Sequence, residues 1–278
     1  MNPKVYLNGQ LIENVKATVP VSNPGLLHGV GLFETLRSYD GRPFKLPEHI
    51  ERLRASAVAL NMPVDDAIEK IPVAVEQVLD ANKLKDARIR FTVIPPGPQT
   101  SSAEPTLLVA AEATAGYPAE LYEQGMMVYV CDTYRQSKFD PLVGHKTTSY
   151  LSRLLALRNA HDRACGEALW FTPDNYLAEG SISNIFIVKN GQLRTPPLDT
   201  PILPGVTRAT VLQIARQLEC PTEETACTLK DLLEADEIFL TNAIMEIMPV
   251  TNIERKPVAN EKPGPLTQKL AVTYQALI

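Results

Sequence analysis

The sequence is poor in the groups that usually announce a chemistry. Its 278 residues include 4 histidines, 4 cysteines and 1 tryptophan. The histidines are too scattered to build a metal cluster or a serine triad, and neither HExxH nor a glycine-rich nucleotide loop occurs. Cys131, Cys165, Cys220 and Cys227 lack the close pairing of metal ligands and read as reduced thiols of a cytoplasmic protein. Positive charge is not in excess. A net charge of −5 leaves no basic footprint for nucleic acid, so an anionic ligand must be held by local groups. No apolar run is long enough to span a bilayer, and the amino-terminal MNPKVYLNGQ lacks the charged-then-apolar pattern of a secretory signal. Internal repeats and low-complexity tracts are missing too. The remainder, 45% hydrophobic and 21% charged, is a globular composition with enough length for a sizeable core, and it favours a small-molecule enzyme.

Turn chemistry and periodicity organise the chain. Asn8-Gly9 and Asp40-Gly41 each lie between apolar runs and predict hairpins. Pro47 opens a helix in which Ile50, Leu53, Ala57 and Leu60 recur at helical spacing. A second helix is expected over Asp66 to Ala81, followed by strands at ARIRFTVI and PTLLVAAEA. TAGYPAE then marks a linker. Beyond it the pattern predicts a strand MMVYVCD, a helix from Thr148 to His161, a strand EALWFT, a turn at Pro173-Asp174-Asn175 and a hairpin closed by Asn190-Gly191. Helices near 206–218 and 264–277 flank the strands DEIFLTN and IMPVTNI. Locally paired strands with a few helices predict an α+β fold rather than a doubly wound sheet. The expected division is a small domain over 1–113, a linker over 114–121 and a larger domain over 122–278 that carries Lys146.

Three local features stand out, and none decides alone. Lys146 precedes a helix in GHKTTSYLSRLL, where the dipole disfavours a cation, although a solvated lysine is the plainer reading. Glu179, in YLAEGSISNIF, stands before a very apolar strand and also reads as a turn carboxylate. Gly205-Val206-Thr207 opens a helix whose free N–H groups form an anion site unless side chains cap them.

Taken together, VYLNGQ, GLFETLRSYDG, EHIERLRASA, HKTTSYLS, LAEGSISNIF, RTPPLDTPILPGVTR and ADEIFLTNAIMEIMPV resemble, nearly end to end, the fold type IV pyridoxal-phosphate enzymes, or class IV aminotransferases. That family holds branched-chain and D-amino-acid aminotransferases and 4-amino-4-deoxychorismate lyase. The resemblance implies a two-domain fold with the active site between the domains, a homodimer, and pyridoxal 5'-phosphate as cofactor. It implies that Lys146 forms the Schiff base and shuttles the Cα proton, and that Glu179 pairs with the pyridine nitrogen. Arg52 would bind the phosphate together with the backbone of Gly205, Val206 and Thr207. Leu203 would pack on the ring, and Tyr150 would lie near its phenolic oxygen. No metal is implied.

Some positions depart from better-known members. Asn242-Ala243 stands where branched-chain enzymes carry glycine-threonine, so the phosphate loses a hydroxyl and the N–H groups of Ala243 and Ile244 must do more. His28 replaces a tyrosine, Ser149 an asparagine, and the Arg-x-His feature is missing from PPGPQTSSAEP. Arg37 and Arg90 alternate with apolar neighbours on strands, so each reads either as a carboxylate-binding residue facing the site or as part of a solvated face. Ala243, Ile244 and His28 complete the expected substrate contacts. His145 reads as an incidental neighbour of Lys146 and Trp170 as core. The expected activity is exchange of an amino group between an amino acid or amine and a 2-oxo acid. GLFETLR and TNAIMEIMPV look closer to the lyase branch, which keeps release of pyruvate and 4-aminobenzoate as the alternative. A cofactor-free scaffold on the same fold is the remote one.

Overall fold

The computed structural model describes residues 2–97 and 104–278, so Pro98–Ala103 of the loop after ARIRFTVI lie outside the described residues. The chain separates into two units. The first takes Met1–Ala115 together with His145–Tyr150, and the second takes Gly116–Gly144 with Leu151–Ile278.

The first unit runs β1 (Lys4–Leu7), β2 (Gln10–Glu13), α1 (Pro24–His28), β3 (Leu32–Tyr39), β4 (Arg42–Pro43), α2 (Leu46–Ala59), α3 (Asp65–Ile68), α4 (Ile71–Asn82), β5 (Ala87–Ile94) and β6 (Thr106–Ala113). The strands form an antiparallel sheet in the order β2-β1-β6-β5-β3-β4. Both predicted hairpins are present. At Asn8-Gly9 the pair has φ of 48° and 90°, the left-handed turn that matches strand twist and that Asn and Gly adopt most readily. On one face of the sheet Leu32, Leu36, Ile89, Phe91 and Val93 pack against Leu53 and Ala57 of α2 and Ile71, Val75 and Val78 of α4. The single helix expected over Asp66 to Ala81 is broken between α3 and α4. Pro72 lacks an N–H and its ring would meet the Ile68 carbonyl, so the chain starts a new helix with the proline in its first turn.

The second unit runs α5 (Ala119–Gln124), β7 (Met126–Arg135), α6 (Leu151–His161), β8 (Glu167–Phe171), β9 (Leu177–Gly180), β10 (Asn184–Lys189), β11 (Gln192–Thr195), α7 (Val206–Gln217), β12 (Thr222–Glu224), α8 (Leu229–Leu233), β13 (Glu237–Asn242), β14 (Glu246–Ile253), β15 (Lys256–Pro257) and α9 (Pro265–Gln275). Its sheet has the order β12-β11-β10-β13-β14-β7-β8-β9, with β15 on β14. Hairpins account for β10-β11 and β13-β14, but β7 pairs in parallel with both β8 and β14, and β11 with β12. The sheet is therefore mixed, which hairpin signals alone do not reveal. Ile185 and Ile187 of β10 and Ile238 and Leu240 of β13 are buried at its centre, which accounts for the continuous apolar run there.

Three boundaries differ from expectation. The stretch read as a linker contains the start of α5. The helix expected from Thr148 begins at Leu151. Most consequentially, His145–Tyr150 belongs to the first unit, not the second, because its backbone bonds to β3. Among the described residues, no helix is long and apolar enough to cross a membrane.

Candidate active site

In the first unit, Lys146 is fixed by sheet hydrogen bonds. The Phe33 N–H donates to the Lys146 carbonyl and the Thr148 N–H to that of Gly31, both at 2.9 Å, while Thr148 Oγ1 donates to the Gly29 carbonyl at 2.6 Å. The segment thus extends the free edge of β3 beyond β4. The Lys146 ammonium lies 4.7 Å from the centre of the Phe33 ring and 5.5 Å from that of Tyr150, and the two rings meet edge to face at 5.3 Å. Arg90 stands opposite Thr35 across the β3–β5 ladder, with its guanidinium carbon 3.7 Å from the Phe33 ring centre. Lys146, Tyr150 and Arg90 therefore meet on one aromatic ring. Arg37 lies on the same sheet face as Phe33, further along, over the Tyr39 ring. His28 ends α1 and is exposed. The His145 ring pairs with Ser56 Oγ at 3.0 Å.

The other face of β3 holds Arg52. Its Nε and Nη2 donate to Glu34 Oε1 and Oε2 at 2.7 and 2.5 Å, a bidentate fork, and His49 Nδ1 lies 2.8 Å from Glu34 Oε2. Burial alone would raise the Glu34 carboxyl, but the Arg52 guanidinium and the His49 bond outweigh it and bring it down to about 2. Sequence reasoning missed Glu34 and His49. The signal was available, because Glu34 is in phase with Leu32 and Leu36, and a carboxylate on the core-facing phase of a strand requires a cation.

In the second unit, Glu179 is the penultimate residue of β9 and is 2% exposed. Its Oε1 accepts from Arg153 Nη2 at 2.6 Å and Gln136 Nε2 at 2.9 Å, and its Oε2 from the Leu203 N–H at 2.9 Å and Asn184 Nδ2 at 3.4 Å. Asn184 Nδ2 also donates to the Leu203 carbonyl at 2.9 Å, which ties Glu179, Leu203 and the start of β10 together. Asn184 Oδ1 approaches Gly205 so closely that a Cβ there would collide with it. Gly205 is the N-cap of α7, and no side chain caps that helix, so the Val206 and Thr207 amides keep the character of an anion site. Thr207 is buried.

The turn after Glu179 is held from below by Glu167. This fully buried carboxyl accepts from the N–H groups of Ala168, Ser181 and Ile182 and from Ser183 Oγ at 2.7–3.1 Å. Burial pushes it up to about 7 against the pull of those four donors. In the β13–β14 turn, Asn242 Oδ1 accepts from the Ile244 and Met245 N–H groups at 2.8 Å, and its Nδ2 donates to the Ile182 carbonyl at 3.1 Å. The Ile244 amide, expected to compensate for a missing phosphate hydroxyl, is instead taken by Asn242, with Ala243 between them. Trp170 is core, as expected, and donates to Ser181 Oγ. Gln136, Arg153, Asn184 and Glu167 escaped the sequence reading. Of these only Arg153 carried a local signal, a cation in the first turn of a helix.

Gln136 Oε1 and Thr241 Oγ1 are buried without a hydrogen-bond partner. Gln136 bonds Glu179, and Thr241 sits opposite Asn184 in the β10–β13 ladder. Buried polar groups of this kind call for a partner, which a polar ligand or a water can supply.

A family model described as Amino-transferase class IV matches residues 31–253. A protein of Methanocaldococcus jannaschii, provisionally named a branched-chain-amino-acid aminotransferase, is 36% identical over 98% of this chain and 95% of its own. The D-alanine aminotransferase of Listeria monocytogenes serotype 4b is 32% identical over 96% of this chain and 93% of its own. Among solved structures, the T.th. branched-chain amino acid aminotransferase with pyridoxamine 5'-phosphate superposes with a TM-score of 0.91 at 26% identity, covering 99% of this chain and 93% of that one.

Proposed function

The chain belongs to the class IV aminotransferases, and from that premise we propose that it is a pyridoxal-phosphate-dependent aminotransferase passing an amino group from an amino acid or amine to a 2-oxo acid. The observation that carries the reading is the pairing, within one unit, of a primary amine set against aromatic rings (Lys146) and an arginine fork locked by a buried carboxylate (Arg52 on Glu34). One suits a carbonyl, the other a phosphate.

The residues fit the cofactor. Orphaned Gln136 Oε1 and Thr241 Oγ1 and the uncapped α7 offer polar groups that a polar ligand would satisfy, and Glu179 supplies an aimed carboxylate beside them. When bound, pyridoxal phosphate supplies an electron sink for the substrate Cα and a temporary seat for the amino group. Lys146 would hold it covalently, then take and return the Cα proton. Arg52, the Val206 and Thr207 amides and the Thr207 hydroxyl would hold the phosphate. Glu179 would keep the proton on the ring nitrogen, Leu203 would cover one ring face, and Tyr150 would steady the phenolic oxygen. Arg90, already placed beside Lys146, would hold a substrate carboxylate, with Arg37, His28, Ala243 and Ile244 as further substrate contacts.

The working enzyme is proposed to be a homodimer in the cytoplasm. The exposed Leu26 and Leu27 of α1 support the first, and four cysteines free of disulfides support the second. Sedimentation of the purified chain at twice the monomer mass checks the dimer. The activity is tested by giving the chain L- and D-amino acids with a 2-oxo-acid acceptor. The expected result is a new amino acid made from the acceptor, with none formed when either partner is left out. Release of pyruvate and an aromatic amine from aminodeoxychorismate without any acceptor, and no exchange with the panel, would replace this reading with the lyase.

A further inference from the structure

Arg153 is the third residue of α6, where the helix dipole disfavours a cation, yet its side chain is only 18% exposed. Its position is fixed from several sides. Nη2 donates to Glu179 Oε1 at 2.6 Å, and Nη1 donates to the carbonyls of Gly180 and Ser181 at 3.3 and 3.1 Å. The guanidinium carbon lies 5.6 Å from the Trp170 ring, which stacks on Tyr134 and donates to Ser181 Oγ. The cation therefore grips both the carboxylate and the two residues that follow it, so it must move with that turn. The neighbouring donors of Glu179, namely Gln136, Asn184 and the Leu203 amide, are neutral. They can aim the carboxylate but cannot balance its charge.

We propose that Arg153 is a positioning residue for the transfer reaction, the charge partner that holds the Glu179 carboxylate and its turn in place so that it can face the cofactor's ring nitrogen. The inference rests on the role given to Glu179 above. Removing the cation leaves a buried charge without its partner, and the turn that Arg153 grips loses its anchor at the same time. A carboxylate released from that grip no longer meets the ring nitrogen, so loss of Arg153 has the consequence of loss of Glu179 itself. No role in folding β9 requires this chemistry, since that strand pairs with β8 through its backbone.

The test separates this role from simple support of the fold. The full chain, freed of cofactor, is titrated with pyridoxal phosphate and with its carbocyclic analogue, in which the ring nitrogen is replaced by C–H. General loosening of the protein weakens both ligands alike, whereas the ratio of their dissociation constants reports the nitrogen contact. The unmodified chain should prefer the natural cofactor by about tenfold or more, the equivalent of one pKa unit. Glu179→Gln should remove that preference. Arg153→Gln, which keeps a donor of similar reach but no charge, should remove it as well, and the double variant should go no further. Arg153→Lys should keep the preference even where its melting temperature falls, and it serves as the deciding variant if Arg153→Gln does not fold. A full preference in Arg153→Gln, or its loss in Arg153→Lys, overturns the assignment to Arg153. A full preference in Glu179→Gln is a different failure, because it removes the premise about Glu179.

Discussion

In the proposed enzyme two side chains of the first unit would divide the work of holding and reacting, and each can be tested alone. Lys146 carries the amine. Lys146→Ala should abolish amino transfer while the phosphate cradle still binds cofactor, and borohydride treatment of the loaded unmodified chain should label the Lys146 peptide. A label on another lysine removes it from the centre. Arg52 depends on Glu34, whose two oxygens fix the fork. Charge-assisted bonds contribute roughly 1.5–3 kcal/mol each, so Glu34→Gln should weaken cofactor binding by about tenfold or more, read by fluorescence titration. The same carboxylate sets an acid limit. Its folded-state pKa of about 2 lies below the ordinary 4.5, so its contribution is complete above the ordinary value and is lost as pH falls from there towards 2. Denaturant midpoints measured across that window should fall more steeply for the unmodified chain than for Glu34→Gln. Parallel profiles would show that Glu34 is not the group responsible.

At the scale of elements, the site of the second unit is a set of turns and helix ends held at fixed spacing by buried polar groups. Gly205 is required at the start of α7 by the approach of Asn184, not by its own backbone angle, since its φ is −66°. Gly205→Ala should push Asn184 off both Glu179 and Leu203 and reduce cofactor affinity. The far-ultraviolet circular dichroism should not change, because Gly205 lies outside α7 and its φ of −66° is open to alanine. Glu167 does the same service for the turn that follows Glu179. In Glu167→Gln the amide NH2 would face donors that have lost their acceptor, at a cost of about 1–3 kcal/mol for each unsatisfied group. A melting temperature lower by several degrees is expected, given roughly 2–4 °C per kcal/mol for a protein of this size. An unchanged melting curve would mean that the turn does not depend on the carboxylate.

At the scale of the whole molecule, binding of the cofactor to the folded state should stabilise the chain. Binding to the folded state alone adds about 2.7 kcal/mol at a hundredfold excess over the dissociation constant. Calorimetry with and without pyridoxal phosphate should show an upward shift of the whole transition, and the shift should be smaller in Glu34→Gln at equal cofactor. A shift that is absent from the unmodified chain would contradict the assignment of the cofactor.

Much of the local structure was determined by the sequence. Asn8-Gly9, Asp40-Gly41 and Asn190-Gly191 closed hairpins because those pairs accept positive φ at low cost. The pattern placed β5 over Ala87–Ile94 without error, and the apolar run of β10 announced a strand, though not its central place in the sheet. Lys146, Arg52 and Glu179 were singled out by the order of motifs, since taken alone Lys146 read as a solvated lysine and Glu179 as a turn carboxylate. Tertiary structure alone decided the rest. Lys146 joins the first unit because its carbonyl finds the amide of Phe33 far back in the chain. Glu179 draws its donors from Gln136, Arg153, Asn184 and Leu203, four separate segments. Parallel pairing of β7 with β8 and β14 leaves no turn signal in either strand. The reason is common to all three. Periodicity records which way a residue faces, whereas the partner of a buried charge or an edge strand is chosen by what the packed core brings alongside it.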